Sequence, residues 1–162
     1  MLQELRRQWF MKQLWGSTVE APPEFNEAMD ENIAKVLLTC VNGDGQITQA
    51  ERDWIFGFLS SAGFSNTLVD KLLAYSADEE IVDLIAEYPY IHASPGMIIY
   101  TSILACDSDD ELHPEEVATI RRMAHAMGAA DELVNELLAI VEEEKQLKAK
   151  RIQLVFPKGV PF

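Results

Sequence analysis

Seven oxygen-bearing side chains in two short segments are the residues of this sequence best suited to chemistry. The first segment reads Cys40-Val41-Asn42-Gly43-Asp44-Gly45-Gln46-Ile47 and continues from Thr48 to Glu51. Set against a calcium-binding helix-loop-helix, Asn42 falls at loop position 3, Asp44 at 5, Gly45 at 6, Ile47 at 8 and Glu51 at 12. The second segment puts Asp107 at 3, Asp109 at 5, Asp110 at 6, Leu112 at 8 and Glu116 at 12. A hard cation such as calcium, magnesium or manganese needs several oxygens converging on it, and carboxylates at 3, 5 and 12 supply the anionic part. Position 1, normally an aspartate that closes the site, is Cys40 in one segment and Ala105 in the other. The candidate metal ligands are therefore Asp44, Glu51, Asp107, Asp109 and Glu116, with Asn42 and Asp110 as additional donors. The competing reading makes Asp44 and Asp109 turn formers and Glu51 and Glu116 helix caps.

Other reactive types are scattered. His92, His113 and His125 pair with no Cys or His at zinc-ligand spacing. Cys40 and Cys106 sit in helical surroundings and read as buried, reduced thiols rather than a disulfide or a nucleophile. No phosphate-binding glycine loop or nucleophile elbow is present, and no acid/base pair stands out among the carboxylates. The expectation is a protein without catalysis.

The balance of charge points the same way. The 162 residues carry a net charge of −14, with 48% hydrophobic and 25% charged residues, a globular composition. Such acidity excludes nucleic acid as a partner, because duplex binding needs Lys and Arg against phosphate. Cations, basic proteins or solubility remain as its use, and a protein partner is expected. The charge is uneven: residues 16–144 hold 5 basic and 26 acidic side chains, whereas 145–162 hold Lys145, Lys148, Lys150, Arg151, Lys158 and no acid. No 18-residue apolar run and no signal-type stretch exist, so a cytoplasmic protein is expected.

The elements that must position the acidic segments are helices. Phe25, Ala28, Met29, Ile33, Val36, Leu37 and Cys40 recur at helical spacing after Pro22 and Pro23. Ala50, Trp54, Ile55, Phe58, Leu59 and Ala62 form the next stripe, which stops at Gly63. Asn66 is read as the cap of a short helix, 78–87 as a linker helix, and 95–106 as a helix apolar almost all round, hence central. Helices over 114–127 and 131–150 follow, and RIQLVFPKGVPF reads as extended. Sliding the chain by 65 residues aligns 44–74 with 109–139 at nine identities without a gap, including Asp44/Asp109, Glu51/Glu116 and Gly63/Gly128. Periodicity accounts for the matched leucines but not for the glycines and acids. Two similar units, 24–75 and 95–142, are expected to pack as one domain.

A twice-occurring acidic turn, D-G-x-[IL]-x-x-x-E with an acid allowed in the glycine slot, within a small acidic helical chain resembles the tellurite-resistance TerB-like family. The resemblance covers about 24–142. It implies an all-α bundle of about seven to nine helices in two pseudo-symmetric units, a divalent-metal-binding acidic surface, and a stress-response role in larger assemblies without a known reaction. Asp44, Glu51, Asp109 and Glu116 are the positions that match its motif; Asn42-Gly43 and Asp110 depart from it. The alternative is an acidic protein-interaction scaffold that holds no metal.

The ends pose a separate question. Leu2, Leu5, Trp9, Phe10 and Leu14 lie beside Arg6, Arg7 and Lys12, and docking of this helix onto the body is expected over a membrane-surface anchor. The apolar residues Ile152, Leu154, Val155 and Phe156 are expected to pack on the chain's own body near residues 1–15, clear of the acidic loops. Pairing with a second copy is the competing outcome.

Overall fold

Helices form almost wherever the apolar spacing asks for them. A computed structural model describes residues 2–16, 26–87 and 89–161. Among these residues it has eight α-helices and no strand: α1 (Leu2–Trp15), α2 (Glu27–Val41), α3 (Gln49–Ala62), α4 (Asn66–Leu73), α5 (Ile81–Glu87), α6 (Pro95–Cys106), α7 (Pro114–Ala126) and α8 (Asp131–Val155). Short 3-10 turns occupy Asn42–Asp44, Pro89–Ala93 and Asp107–Asp109. Phe25 and the Pro22-Pro23 pair lie outside the described residues. The α2 helix starts instead from Asn26, whose side-chain oxygen accepts from the N–H groups of Ala28 and Met29.

The two helices that lead into the acidic segments make the centre. Leu37, Leu38, Cys40 and Val41 of α2 are fully buried, as are Ile99, Ile103, Ala105 and Cys106 of α6. Around them, α3 contributes Ile55 and Leu59, α5 Ile81 and Leu84, α7 Ile120 and Met123, and α8 Val134. Each such aliphatic side chain gains about 1.5–3 kcal/mol from leaving water, so the loops between these helices sit on the most strongly anchored part of the chain. The glycine stops behave as their spacing requires. Gly63 and Gly128 both adopt positive φ, 93° and 78°, and the next residue in each case donates back across the turn, Phe64 to Leu59 and Ala129 to Ala124.

Several expectations about element ends need correction. The cap of α4 is Ser65, whose hydroxyl accepts from Leu68 N–H at 3.2 Å, and Asn66 is the first helical residue. Its counterpart Asp131 is likewise the first residue of α8, after Ala130. The segment Arg151–Val155 is helical, not extended, because nothing from Lys145 onward breaks a helix until Pro157, which disfavours helical geometry in Phe156. Of the four apolar residues expected to pack on the body, Ile152, Leu154 and Val155 are exposed and Phe156 is half-buried.

The N-terminal helix does dock. Phe10 meets Phe58 of α3 edge to face at 5.1 Å between centroids, Trp15 meets Tyr100 at 5.4 Å, and Arg7 is buried. Trp9, expected to need cover, stays exposed with Leu2 and Leu5. Together α1, α2, α3 and α6 enclose a cavity of about 150 Å³, apolar apart from Arg7, Asp30 and Thr101. Burial pushes the Asp30 carboxyl up to about 6, against the pull of Arg7. No helix among the described residues is long and apolar enough to cross a membrane.

Candidate functional site

Each acidic segment is built by the same local bonds. After α2, the N–H of Gly45 returns to Asn42 O at 2.9 Å with Gly45 at φ 86°, and Asp44 Oδ1 accepts from Gln46 N–H at 2.8 Å. After α6, the N–H of Asp110 returns to Asp107 O at 3.1 Å with Asp110 at φ 68°, and Asp109 Oδ1 accepts from Glu111 N–H at 3.0 Å. The glycine slot of the motif is thus a left-handed position. Aspartate tolerates that conformation better than most residues, which explains why an acid can stand there. The helices that follow are closed by the two glutamates: Glu51 Oε2 accepts from Thr48 N–H at 2.6 Å and Glu116 Oε2 from His113 N–H at 2.9 Å.

Each turn packs on the helix that follows the other. The turn Asn42–Asp44 packs on α7, and the turn Asp107–Asp109 packs on α3. Gly43 is the point of closest approach: a Cβ there would lie 2.8 Å from Glu116 Cα and 3.0 Å from Glu115 O. The unusual Asn42-Gly43 pair therefore has a packing cause. Asn42 is turned away from the loop and donates from Nδ2 to Ala77 O at 3.1 Å.

This arrangement brings Glu51 and Glu116 together rather than leaving each to close its own loop. They are 2% and 0% exposed, and the Glu51 carboxyl lies close enough to act on that of Glu116. Glu116 Oε1 finds no donor among the described residues; a proton on Glu116 would let that carboxyl donate instead. Burial first, then the Glu51 carboxyl, pushes Glu116 up to about 8, with the His113 N–H opposing. Asp44 adds its charge to the same centre, and its Oδ2 lies 4.0 Å from His113 Nε2. Asp107 and Asp110 are drawn elsewhere: Lys145 of α8 reaches them at 2.9 and 3.2 Å. The basic stretch thus lies beside the acidic surface, as its charge favours, but enters the second loop instead of staying clear of it. Among the described residues, no three His, Cys, Asp or Glu side chains converge as a ready metal cage.

Periodicity gave no sign of Lys145 as a loop residue. Its signal was the abrupt change from Glu142, Glu143 and Glu144 to a basic run. The cysteines are free and fully buried. Burial pushes the Cys40 thiol up to about 12 and the Cys106 thiol well above its ordinary value. Neither is expected to react with an aromatic disulfide reagent until the protein unfolds; rapid labelling of native protein would refute that.

No protein-family model matches the chain, and no curated protein matches it. A solved structure does. A tellurite-resistance protein from Nostoc punctiforme aligns with a TM-score of 0.82 at 30% identity, over 99% of this chain and 98% of that one. With that identity over nearly the full length of both proteins, on an all-helical bundle with two acidic loops, the chain belongs to the tellurite-resistance TerB-like family.

Proposed function

We propose that this chain is a non-catalytic cytoplasmic module of a tellurite-type stress response, whose paired acidic loops take up a divalent cation weakly. Calcium, magnesium or manganese would be held by carboxylates drawn from Asp44, Glu51, Asp109 and Glu116. The observation that carries this reading is Glu116 Oε1, fully buried, without a donor, and facing a second carboxyl. The donors are hard oxygens suited to such ions. An ion there would bridge the two loops and take the place of the proton on Glu116. It would require side chains to turn, since the carboxylates do not already form a cage. Affinity is therefore expected to be low, about 0.1–1 mM.

Calorimetric titration with each ion tests this. Saturable heat is expected in the parent, and none in Asp109→Asn combined with Glu116→Gln, with the helical signal retained. No heat in the parent would sink the proposal.

Lys145 favours a second reading, an acidic scaffold that receives a basic side chain of a partner protein. An ammonium already fits between Asp107 and Asp110. The two readings differ in what Lys145→Ala does. If cations bind the loops, freeing two carboxylates should tighten divalent binding roughly 2–5-fold, the scale of an exposed ion pair. If the loops serve only proteins, divalent heats stay absent in that variant too.

A further inference from the structure

The last ten residues of α8, Gln146 to Val155, are all exposed, so about 15 Å of helix stands clear of the body. This stretch is not simply polar. Ile140, Leu147 and Leu154 follow one another at intervals of seven and become more exposed along the helix, 44%, 65% and 74%. At 100° per residue they form one narrow seam. The side that packs on the body, centred on Val134 and Val141 with Leu133, Leu137 and Leu138 beside them, borders this seam at Leu133. An apolar line that starts on the core at Leu133 and runs on, exposed, through Ile140, Leu147 and Leu154 offers a second helix a surface beyond the body.

Charge selects the partner. Immediately before and after Leu147 the helix changes sign, from Glu142, Glu143 and Glu144 to Lys145, Lys148, Lys150 and Arg151. Two copies side by side in parallel would set like against like at every flank. In an antiparallel pair with its two-fold axis at Leu147, Ile140 comes opposite Leu154 of the partner subunit. On one flank Glu143 falls beside Lys150 of the partner subunit, and on the other Glu144 falls beside Arg151 of the partner subunit. Symmetry repeats both pairs. Glu144 is at the same time held to its own body, its Oε2 accepting from Tyr100 O–H at 2.6 Å. A lipid surface would meet the same seam flanked by three glutamates on a chain of net charge −14, which disfavours anionic membrane.

We propose that α8 is a dimerisation helix, pairing antiparallel with α8 of a second copy through Ile140, Leu147 and Leu154 and through reciprocal Glu143–Lys150 and Glu144–Arg151 contacts. The inference is independent of whether the loops hold metal.

Sedimentation equilibrium of the full chain at up to about 100 µM tests it, a range that reveals micromolar association. The parent is expected to be dimeric. Leu147→Asp with Leu154→Asp should weaken association at least about 100-fold, as loss of apolar anchors does, without loss of helical signal, because both side chains are exposed. Charge reversal gives a sharper arm. Glu143→Lys with Glu144→Lys, and separately Lys150→Glu with Arg151→Glu, should each be monomeric alone. An equimolar mixture of the two should form a one-to-one complex. A parent that stays monomeric, a dimer that survives the leucine substitutions, or a mixture that fails to associate would overturn the proposal. Binding of a monomeric parent to phosphatidylserine vesicles, lost in the leucine variant, would overturn it in favour of a lipid surface.

Discussion

The melting temperature of this protein is expected to fall as pH rises from about 5 to 8.5, and Glu116→Gln is expected to remove most of that fall. Glu116 holds its proton more tightly in the folded state than its ordinary value of 4.5 would allow, up to about 8. A group raised in this way contributes stability that is fully present below its unfolded value and is lost as pH passes through the folded one. Asp30, raised from 3.8 to about 6, adds to the loss at the acidic end of the same window. The Glu116 share amounts to at most roughly 4 kcal/mol across the window, on the order of 10 °C for a chain of this size. Glutamine keeps an oxygen for the His113 N–H and can donate to Glu51 with no proton to lose. The variant should therefore melt higher than the parent at pH 8.5 and close to it at pH 5. Thermal melts in chelator-treated buffer check this. A flat profile in the parent, or the same slope in both proteins, would show that Glu116 does not hold its proton in the folded state.

Gly43→Ala is expected to be the most damaging single methyl that can be added to the loops. Its Cβ would sit 2.8 Å from Glu116 Cα and 3.0 Å from Glu115 O and Glu116 N, all of them backbone atoms that cannot rotate away. Either the turn Asn42–Asp44 lifts off α7 or the start of α7 shifts, at a cost of about 1–3 kcal/mol or more. Separating the loops also loosens the Glu51–Glu116 contact, so the loss should be larger at pH 5 than at pH 8.5. Gly57→Ala is the control. Nothing lies within 4 Å of a Cβ there, and the position is an exposed one inside α3. It should stabilise by about 0.5–1 kcal/mol through helix propensity alone. Equal effects at the two glycines would mean that the loops do not press together as described.

Much of the site's local chemistry was legible in the residues themselves, because it is made by neighbours in the chain. The turns at Asp44 and Asp109, the capping glutamates at 51 and 116, and the stops at Gly63 and Gly128 depend on bonds spanning a few residues. So does the central place of α6, since a helix apolar on all sides has nowhere else to go. Both accounts of Glu51 and Glu116, ligand and cap, follow from the same spacing. The capping bonds are present, and the ligand role is a matter for titration.

Only the tertiary structure decided what faces what. That Glu51 meets Glu116 follows from each turn packing on the helix after the other, contacts between residues far apart in the chain, which local pattern does not encode. The same holds for Lys145 reaching Asp107 across 38 positions, and for Gly43 lying against the backbone of α7. The fate of the last helix turned on a balance that sequence alone states wrongly. Its apolar residues suggested an extended tail folded back onto the body, but strong helix formers carry α8 straight on past the core that would have received it. Where a chain leaves its body is set by the geometry of the helix it continues. The sign change at Leu147 was visible from the start, but it acquired a direction only when α8 was seen to carry its apolar line past the end of its own core.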